Sequence, residues 1–522
     1  MTSPSLLRLA VVGHTNTGKT SLLRTLTRDP DFGEVRDRPG TTRHVEGARL
    51  LVDGVPAIEL YDTPGMEDGI ALLDYLERLT APGERLDGPD RIQRFLQSPE
   101  SRGRFEQEAR VLRKLLECDA GLYVVDVRDP VLGKHKDELT LLAACGHPLL
   151  PVLNFTHGPR QRLKAWREAL ARLGLHAIAE FDTVAPALDG EAQLYDKLAL
   201  LMDTHAPLLA ALKADVAQQH QLRREDAMRL IAEMLLDVAA FRLQSEPDDD
   251  AVEQATQTLR RRVRERETAC VRALLQRYNF NSSVFPAHTL PLEGERWGMD
   301  LFHPQAMKDF GLHVGKGMAA GAMAGATLDV FTAGLSLGTA TLLGAAVGGL
   351  WQGADKLGKR VMGRLQGYRE ITVNDAVLRL LALRQLALLD ALERRGHAAQ
   401  DPIALADLGH IGEAQMAADP SLATQLKPAH TGEARAMAAH AGAAQEAAEA
   451  AGVASGYEQM AAAVSTDEPE SARRARWRKQ ALPDALIEAR SQPQWSALSE
   501  DFDNGSRRRQ AVKSLALALA SD

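Results

Sequence analysis

Gly13-His14-Thr15-Asn16-Thr17-Gly18-Lys19-Thr20 sets two glycines, a lysine and a hydroxyl in the spacing G-x-x-x-x-G-K-[ST]. Glycines at these places let backbone N–H groups turn inward on a chain of phosphates. A helix beginning at the loop's end adds its positive pole. Lys19 is then expected to reach the β and γ phosphates, and the Thr20 hydroxyl to bind a Mg²⁺ ion bridging them. Further along, Asp62-Thr63-Pro64-Gly65 follows an apolar run. An aspartate at a strand end can hold the same ion through water, and the Gly65 N–H can sense the terminal phosphate, so that this loop moves when the phosphate leaves. Between the two motifs lies "RPGTTRHVEG", from which Thr42 is the expected third group near Mg²⁺. The chemistry these residues suit is phosphoryl transfer, with Lys19, Thr42, Asp62 and Gly65 closest to it. Gly13, His14, Asn16, Thr17, Gly18, Lys19, Thr20 and Ser21 form the binding loop.

The elements that must position them are legible nearby. "LLRLAVV" before the loop reads as a buried strand and "SLLRTLTRD" after it has helical spacing. "ARLLVDG" and "PAIELYDTPG" read as two strands turning at Asp53-Gly54. "AGLYVVDVR" and "HPLLPVLNF" are further strands around the helical "KHKDELTLLAACG", and a strand-like "HAIAEFDTVAP" precedes the helix "EAQLYDKLALLMDTH". Apolar strands alternating with helices predict a mostly parallel sheet covered on both faces, ending near residue 205. Two amphipathic stretches between Gly65 and Gly121 predict a helical insertion at about residues 68–118.

These motifs resemble the translation-factor-related GTPases of the Era, TrmE and EngA-like group. The resemblance covers residues 6–203 and rests on "GHTNTGKTSLL", "RPGTTRHVEG", "YDTPG" and "YVVDVRDP…HKDELTLLAACGHPLLPVLN". The whole chain is also similar to a bacterial family in which such a domain precedes a helical domain of the DUF3482 type. The resemblance implies an α/β P-loop NTPase fold of the small-GTPase kind, GTP as ligand, Mg²⁺ as cofactor, and a homodimer or activating partner. In that group an asparagine at the position of Asn16 helps hold K⁺ beside the phosphates in place of an arginine finger. Asn16 is therefore a candidate K⁺ ligand, the alternative being an asparagine that only shapes the loop. Met66 stands where Ras-like proteins carry a water-orienting glutamine, a task a thioether cannot do, so slow intrinsic turnover is expected.

The resemblance also exposes an anomaly. GTP-binding relatives read the base with N-K-x-D, whose lysine stem covers the guanine ring and whose aspartate accepts from its N1 and N2 hydrogens. Here the four positions are Asn154, Phe155, Thr156 and His157. Phe155 could stack on a base, but His157 cannot accept two parallel hydrogen bonds as a carboxylate does. In the last loop, "DTVAPALDG", only Ala185 matches the family's S-A-K. Either a neighbour such as Asp182 substitutes or base specificity is relaxed, which leaves GTP as the expected ligand and ATP as the alternative.

A chain of 522 residues exceeds one ordinary core. The expected division is 1–205, the nucleotide domain; 206–310, a long helical pair; 311–400, a Gly/Ala-rich hairpin with following helices; and 401–522, an alanine-rich helical or partly disordered region with no chemical role assigned. The pair is read as residues 208–245 and 249–279 hinged at "SEPDDD", and strand signals vanish after Pro207, so the carboxy-terminal region is expected to be all-α. The net charge of −8 argues against a dedicated nucleic-acid binder. Cys118, Cys145 and Cys270 show neither metal nor disulfide spacing, which suits a reducing cytoplasm, and no signal peptide is read at the N-terminus.

Gly317, Gly321 and Gly325 recur every fourth residue and Asp329 continues that helical face, a spacing that lets helices approach closely. Val330 to Gly353 carries no charge and is long enough for a bilayer core, with Trp351 and "DKLGKR" following as at a membrane edge. Inner-membrane association and a buried helical hairpin are the two readings of this segment. For the whole chain three functions follow: a nucleotide-switched GTPase with a helical output half, a ribosome-assembly GTPase of the Era type, and a nucleotide-binding scaffold with little hydrolysis. No appended RNA-binding module built around a G-x-x-G loop and no basic tail is read, which weighs against the second.

Overall fold

The structure, a computed structural model, describes residues 6–29, 32, 46–80, 84–157, 162–280, 292–293, 296–297, 300–303, 306, 328–331, 368–397, 477 and 482–520. It divides into two compact units. The first is built from residues 1–227, 272–289 and 389–402; the second from residues 228–271, 290–388 and 403–522.

In the first unit the strands are β1 (Leu7–Val12), β2 (Glu46–Val52), β3 (Val55–Asp62), β4 (Ala120–Asp126), β5 (Leu149–Asn154) and β6 (Ala179–Glu180). They form one sheet in the order β2-β3-β1-β4-β5-β6. Only β2 runs antiparallel, across its hairpin with β3. Elsewhere the register is parallel, with Leu9 opposite Leu60 and Ala120, and Val152 opposite Ala179.

The period-two alternation of strand side chains sorts these residues onto two cores. Leu9, Val11, Leu122, Val124 and Val152 face α1 (Lys19–Thr27) and α7 (Gly190–Leu201), with Leu22, Leu23, Leu194 and Leu198 against them. Ala10, Val12, Tyr123, Val125 and Leu153 face the other way. That side is covered by α2 (Gly69–Leu79), α3 (Gly88–Gln97), α4 (Glu106–Leu116), α5 (Gly133–Ala143) and α6 (Leu163–Arg172). Strands buried on both faces are what near-continuous apolar runs demand. The expected insertion is α2, α3, a 3-10 turn at Pro99–Arg102, and α4; Asp87 caps α3 by accepting the Asp90 N–H at 2.9 Å. The final strand is shorter than the sequence pattern suggested, reduced to Ala179–Glu180 because only Val152 and Leu153 pair with it.

The carboxy-terminal half is helical, with α8 (Ala206–Ala240), α9 (Asp249–Arg277), α10 (Asp375–Glu393), α11 (Asp484–Ser491) and α12 (Ser506–Ala520). It also holds short strands that helical periodicity did not announce: β7 (Arg242–Ser245), β8 (Leu292–Glu293), β9 (Arg296–Trp297), β10 (Leu328–Phe331) and β11 (Arg369–Val373). The long pair therefore ends earlier than expected, α8 at Ala240, because residues 242–245 pair with β11. β10 pairs antiparallel with β11, Leu328 opposite Val373 and Phe331 opposite Glu370. That pairing overturns the helical face drawn through Asp329 and takes Val330 and Phe331 out of the uncharged stretch. The rest of the Gly/Ala-rich segment and the alanine-rich region lie outside the described residues. Among the described residues no helix is long and apolar enough to cross a membrane.

Within the second unit the Asp237 carboxylate anchors the helices. It accepts from Arg266 and Arg508, each at 2.7 Å, and from the Ala497 N–H at 3.0 Å. Cys118, Cys145 and Cys270 are buried and unbridged, and burial pushes each thiol up to about 12, so they are inert core residues.

Candidate functional site

β1 ends at Val12 and hands the chain through residues 13–18 into α1. Gly18 has φ +90°, and a Cβ there would lie 2.3 Å from Asn154 Nδ2, so both backbone conformation and close approach require glycine. Lys19 is buried; its Nζ donates to the carbonyls of His14 at 2.7 Å and Gly13 at 3.2 Å. Burial pulls its ammonium down to about 8, against the opposing pull of Asp62, Glu138 and Glu67. Thr17 Oγ1 donates to the His14 carbonyl at 3.0 Å, Ser21 is buried in the first turn of α1, and Asn16 is exposed with φ +64°.

The Thr20 hydroxyl donates to Asp62 Oδ2 at 2.5 Å, and both are buried. A hydroxyl and a carboxylate oxygen side by side, next to a phosphate-holding loop, fit the hard-oxygen preference of Mg²⁺. Thr42 lies outside the described residues. After β3, Thr63 Oγ1 is tied to the Val11 carbonyl at 2.7 Å. Gly65 presses on the phosphate loop so closely that a Cβ would lie 2.6 Å from the Thr15 backbone nitrogen. The Met66 N–H reaches the Gly13 carbonyl at 3.3 Å, and its side chain is fully buried in the core under α2 to α6.

The loop after Asp62 is also fastened from the insertion, which the sequence reading missed. Gln107 of α4 donates to the Gly65 carbonyl, and Glu108 Oε1 accepts the N–H groups of Glu67 at 3.1 Å and Asp68 at 3.0 Å. A second missed group surrounds His14. Its Nδ1 meets buried Glu138 Oε1 at 2.5 Å and its Nε2 meets Lys134 Nζ at 2.7 Å, while Tyr123 donates to Glu138 Oε2 at 3.1 Å. No local spacing marks these residues; only the docking of α4 and α5 brings them to the loop.

At the other end, Asn154 is fully buried and ties three loops. Its Nδ2 donates to the Thr17 carbonyl at 3.0 Å, and its Oδ1 accepts from Phe155 at 2.8 Å and Thr183 at 2.9 Å. Phe155, with φ +60°, sets its ring beside Gly18 and under the Arg128 guanidinium, 3.9 Å from the ring centroid. Asp182 Oδ1 accepts the N–H groups of Val184 at 2.9 Å and Ala185 at 3.1 Å; Oδ2 accepts the His157 N–H at 3.0 Å and meets His157 Nδ1 at 3.2 Å. Burial pushes the Asp182 carboxyl up, but those donors outweigh it and hold the group below the usual range. A carboxylate has about four acceptor positions, and these four contacts fill them. Asp182 is thus a loop brace and not the substitute base reader the sequence left open, and the Ala185 N–H is engaged by it.

Two family models match the chain. The family model described as "50S ribosome-binding GTPase" matches residues 8–155, and the model "Domain of unknown function (DUF3482)" matches residues 167–455. The chain is 45% identical over 62 residues to the tRNA modification GTPase MnmE of Picosynechococcus sp. (strain ATCC 27264 / PCC 7002 / PR-6), covering 12% of this chain and 13% of that protein. It is 38% identical over 150 residues to MnmE of Synechococcus sp. (strain JA-3-3Ab), covering 29% and 25%. The chain thus spans between 13% and 25% of these curated relatives' length. Among solved structures, Era in complex with MgGDPNP and nucleotides 1506-1542 of 16S ribosomal RNA aligns at 17% identity and TM-score 0.29, covering 38% of this chain and 57% of that one. The G domain of the T. maritima FeoB iron transporter aligns at 18% identity and TM-score 0.22, covering 38% and 99%. The first unit carries an Era/TrmE-like P-loop GTPase domain.

Proposed function

The chain belongs to the DUF3482 family, and from that premise we propose that it is a GTP-binding, GTP-hydrolysing switch whose helical carboxy-terminal half carries the output. One observation supports this most: Lys19, Thr20 and Asp62 converge, buried, beside a glycine loop at the carboxyl ends of parallel strands. On binding, Lys19 Nζ exchanges the carbonyls of Gly13 and His14 for phosphate oxygens, and the loop N–H groups and the start of α1 take the remaining charge. Thr20 and Asp62 would hold Mg²⁺, which would supply positive charge to offset that of the phosphates.

Met66 lies in the core, so no side chain at that position orients the attacking water. The reading therefore includes help from elsewhere, with K⁺ held near Asn16 or a partner subunit as the source. Gly65 senses the terminal phosphate, and the loop it belongs to is tied to α4 through Gln107 and Glu108. The insertion is thus the first element to feel loss of that phosphate. Multiple-turnover phosphate release from the full chain, in K⁺ and in Na⁺, tests the reading. Turnover is expected with GTP and Mg²⁺, faster in K⁺, and reduced at least about a hundredfold by Lys19→Ala. Release unaffected by that substitution would refute it. The uncharged stretch from Thr332 to Gly353 extends the reading to an inner-membrane surface. Flotation with anionic vesicles in the triphosphate state is the expected result, and no flotation with any nucleotide removes that part.

A further inference from the structure

We propose that His157, oriented by Asp182, reads the purine through a single hydrogen bond, so that the site ignores the 2-amino group that distinguishes guanine from hypoxanthine. The inference rests on the nucleotide reading above and concerns only its base end. The loops after β5 and β6 stand at the carboxyl ends of parallel strands, and Phe155 touches Gly18 of the phosphate loop, so residues 154–157 border the space next to the bound phosphates. Asp182, the nearby carboxylate, has both oxygens filled by three backbone N–H groups and the His157 ring. It accepts nothing further.

The same contacts decide what His157 offers. An ionised carboxylate can only accept, so His157 Nδ1 carries the proton and donates. When the ring carries that single proton, Nε2 holds a lone pair, and the side chain is 62% exposed, so the ring is open to an arriving ligand. One lone pair takes one N–H. Guanine and hypoxanthine both present a ring N1–H, and guanine's 2-amino group then has no second acceptor here. Adenine presents a lone pair at N1, which opposes that of Nε2. His157 is therefore the specificity-determining residue and Asp182 its positioning residue.

The test is competition against a fluorescent GTP analogue on the full chain with Mg²⁺, using GTP, ITP, ATP and inorganic tripolyphosphate. GTP and ITP are expected to bind within about threefold of each other, and ATP at least about tenfold more weakly. His157→Ala should weaken GTP and ITP alike by about five- to tenfold and leave tripolyphosphate unchanged. Asp182→Asn should do the same by releasing the ring, a base-selective effect that general loosening of the fold would not give. His157→Asp, which restores two acceptors, should separate GTP from ITP by about tenfold or more. The proposal is overturned by native GTP binding tenfold tighter than ITP, by ATP matching GTP, or by His157→Ala leaving both purines unaffected. Failure of every competitor, tripolyphosphate included, would instead overturn the phosphate site itself.

Discussion

At Lys19, burial sets the conditions under which the proposed phosphate contact would form. Desolvation pulls its ammonium down to about 8 from 10.5, and among the described residues its hydrogen bonds go to backbone carbonyls. A bound triphosphate raises that value again, since negative charge favours the ammonium. The sign follows. Below about pH 8 the amine is protonated with or without ligand, and affinity is independent of its titration. Above that, binding must take up a proton. The GTP affinity of the full chain should therefore be flat from pH 6.5 to 8 and fall by up to about tenfold per pH unit beyond. Calorimetry in buffers of different ionisation enthalpy should find proton uptake rising toward one at pH 9; no uptake there would contradict the assignment.

At the scale of elements, α4 decides how firmly the loop after β3 is held. Glu108 is buried and accepts two consecutive backbone N–H groups, those of Glu67 and Asp68. Leaving both unsatisfied costs about 1–3 kcal/mol. Glu108→Leu should therefore accelerate amide exchange at Glu67 and Asp68 by about tenfold or more while leaving the exchange of β4 unchanged. Equal protection in the variant would show that Gln107 and the burial of Met66 hold the loop unaided. The insertion was legible in the sequence as two amphipathic stretches. Its role was not, because Gln107 and Glu108 sit among other charged residues with no spacing that distinguishes them.

For the molecule as a whole, buried neutral imidazoles set the acid limit. His135, His220 and His397 all belong to the first unit, and desolvation on burial lowers each from 6.5 to about 4. The unfolded chain binds these protons and the folded chain does not, so their contribution is intact above about pH 6.5 and is lost as pH falls toward 4. Each imidazole adds up to about 1.4 kcal/mol per pH unit to the slope. His397 stacks on Phe280, the ring centroids 4.5 Å apart, and meets the Tyr278 carbonyl at 2.9 Å. His397→Phe keeps the stack and should reduce proton uptake on unfolding by about one between pH 6.5 and 5, read as a shallower fall of the urea midpoint. An unchanged slope would place the acid sensitivity elsewhere.

Sequence alone was enough to predict a phosphate-binding loop in this protein. Gly13, Gly18, Lys19, Thr20 and Asp62 are recognisable in isolation because a polyphosphate with its metal imposes fixed residue types at fixed spacing within one strand-loop-helix unit. The two-faced sheet was equally legible, since apolar strands alternating with amphipathic helices permit few other arrangements. Only the tertiary structure decided the rest. The contact of Asp182 with His157, the clasp of Gln107 and Glu108, and the β10–β11 pairing each join residues far apart in the chain. Such contacts arise from packing and hydrogen-bond satisfaction between elements, and local periodicity carries no record of which elements will meet.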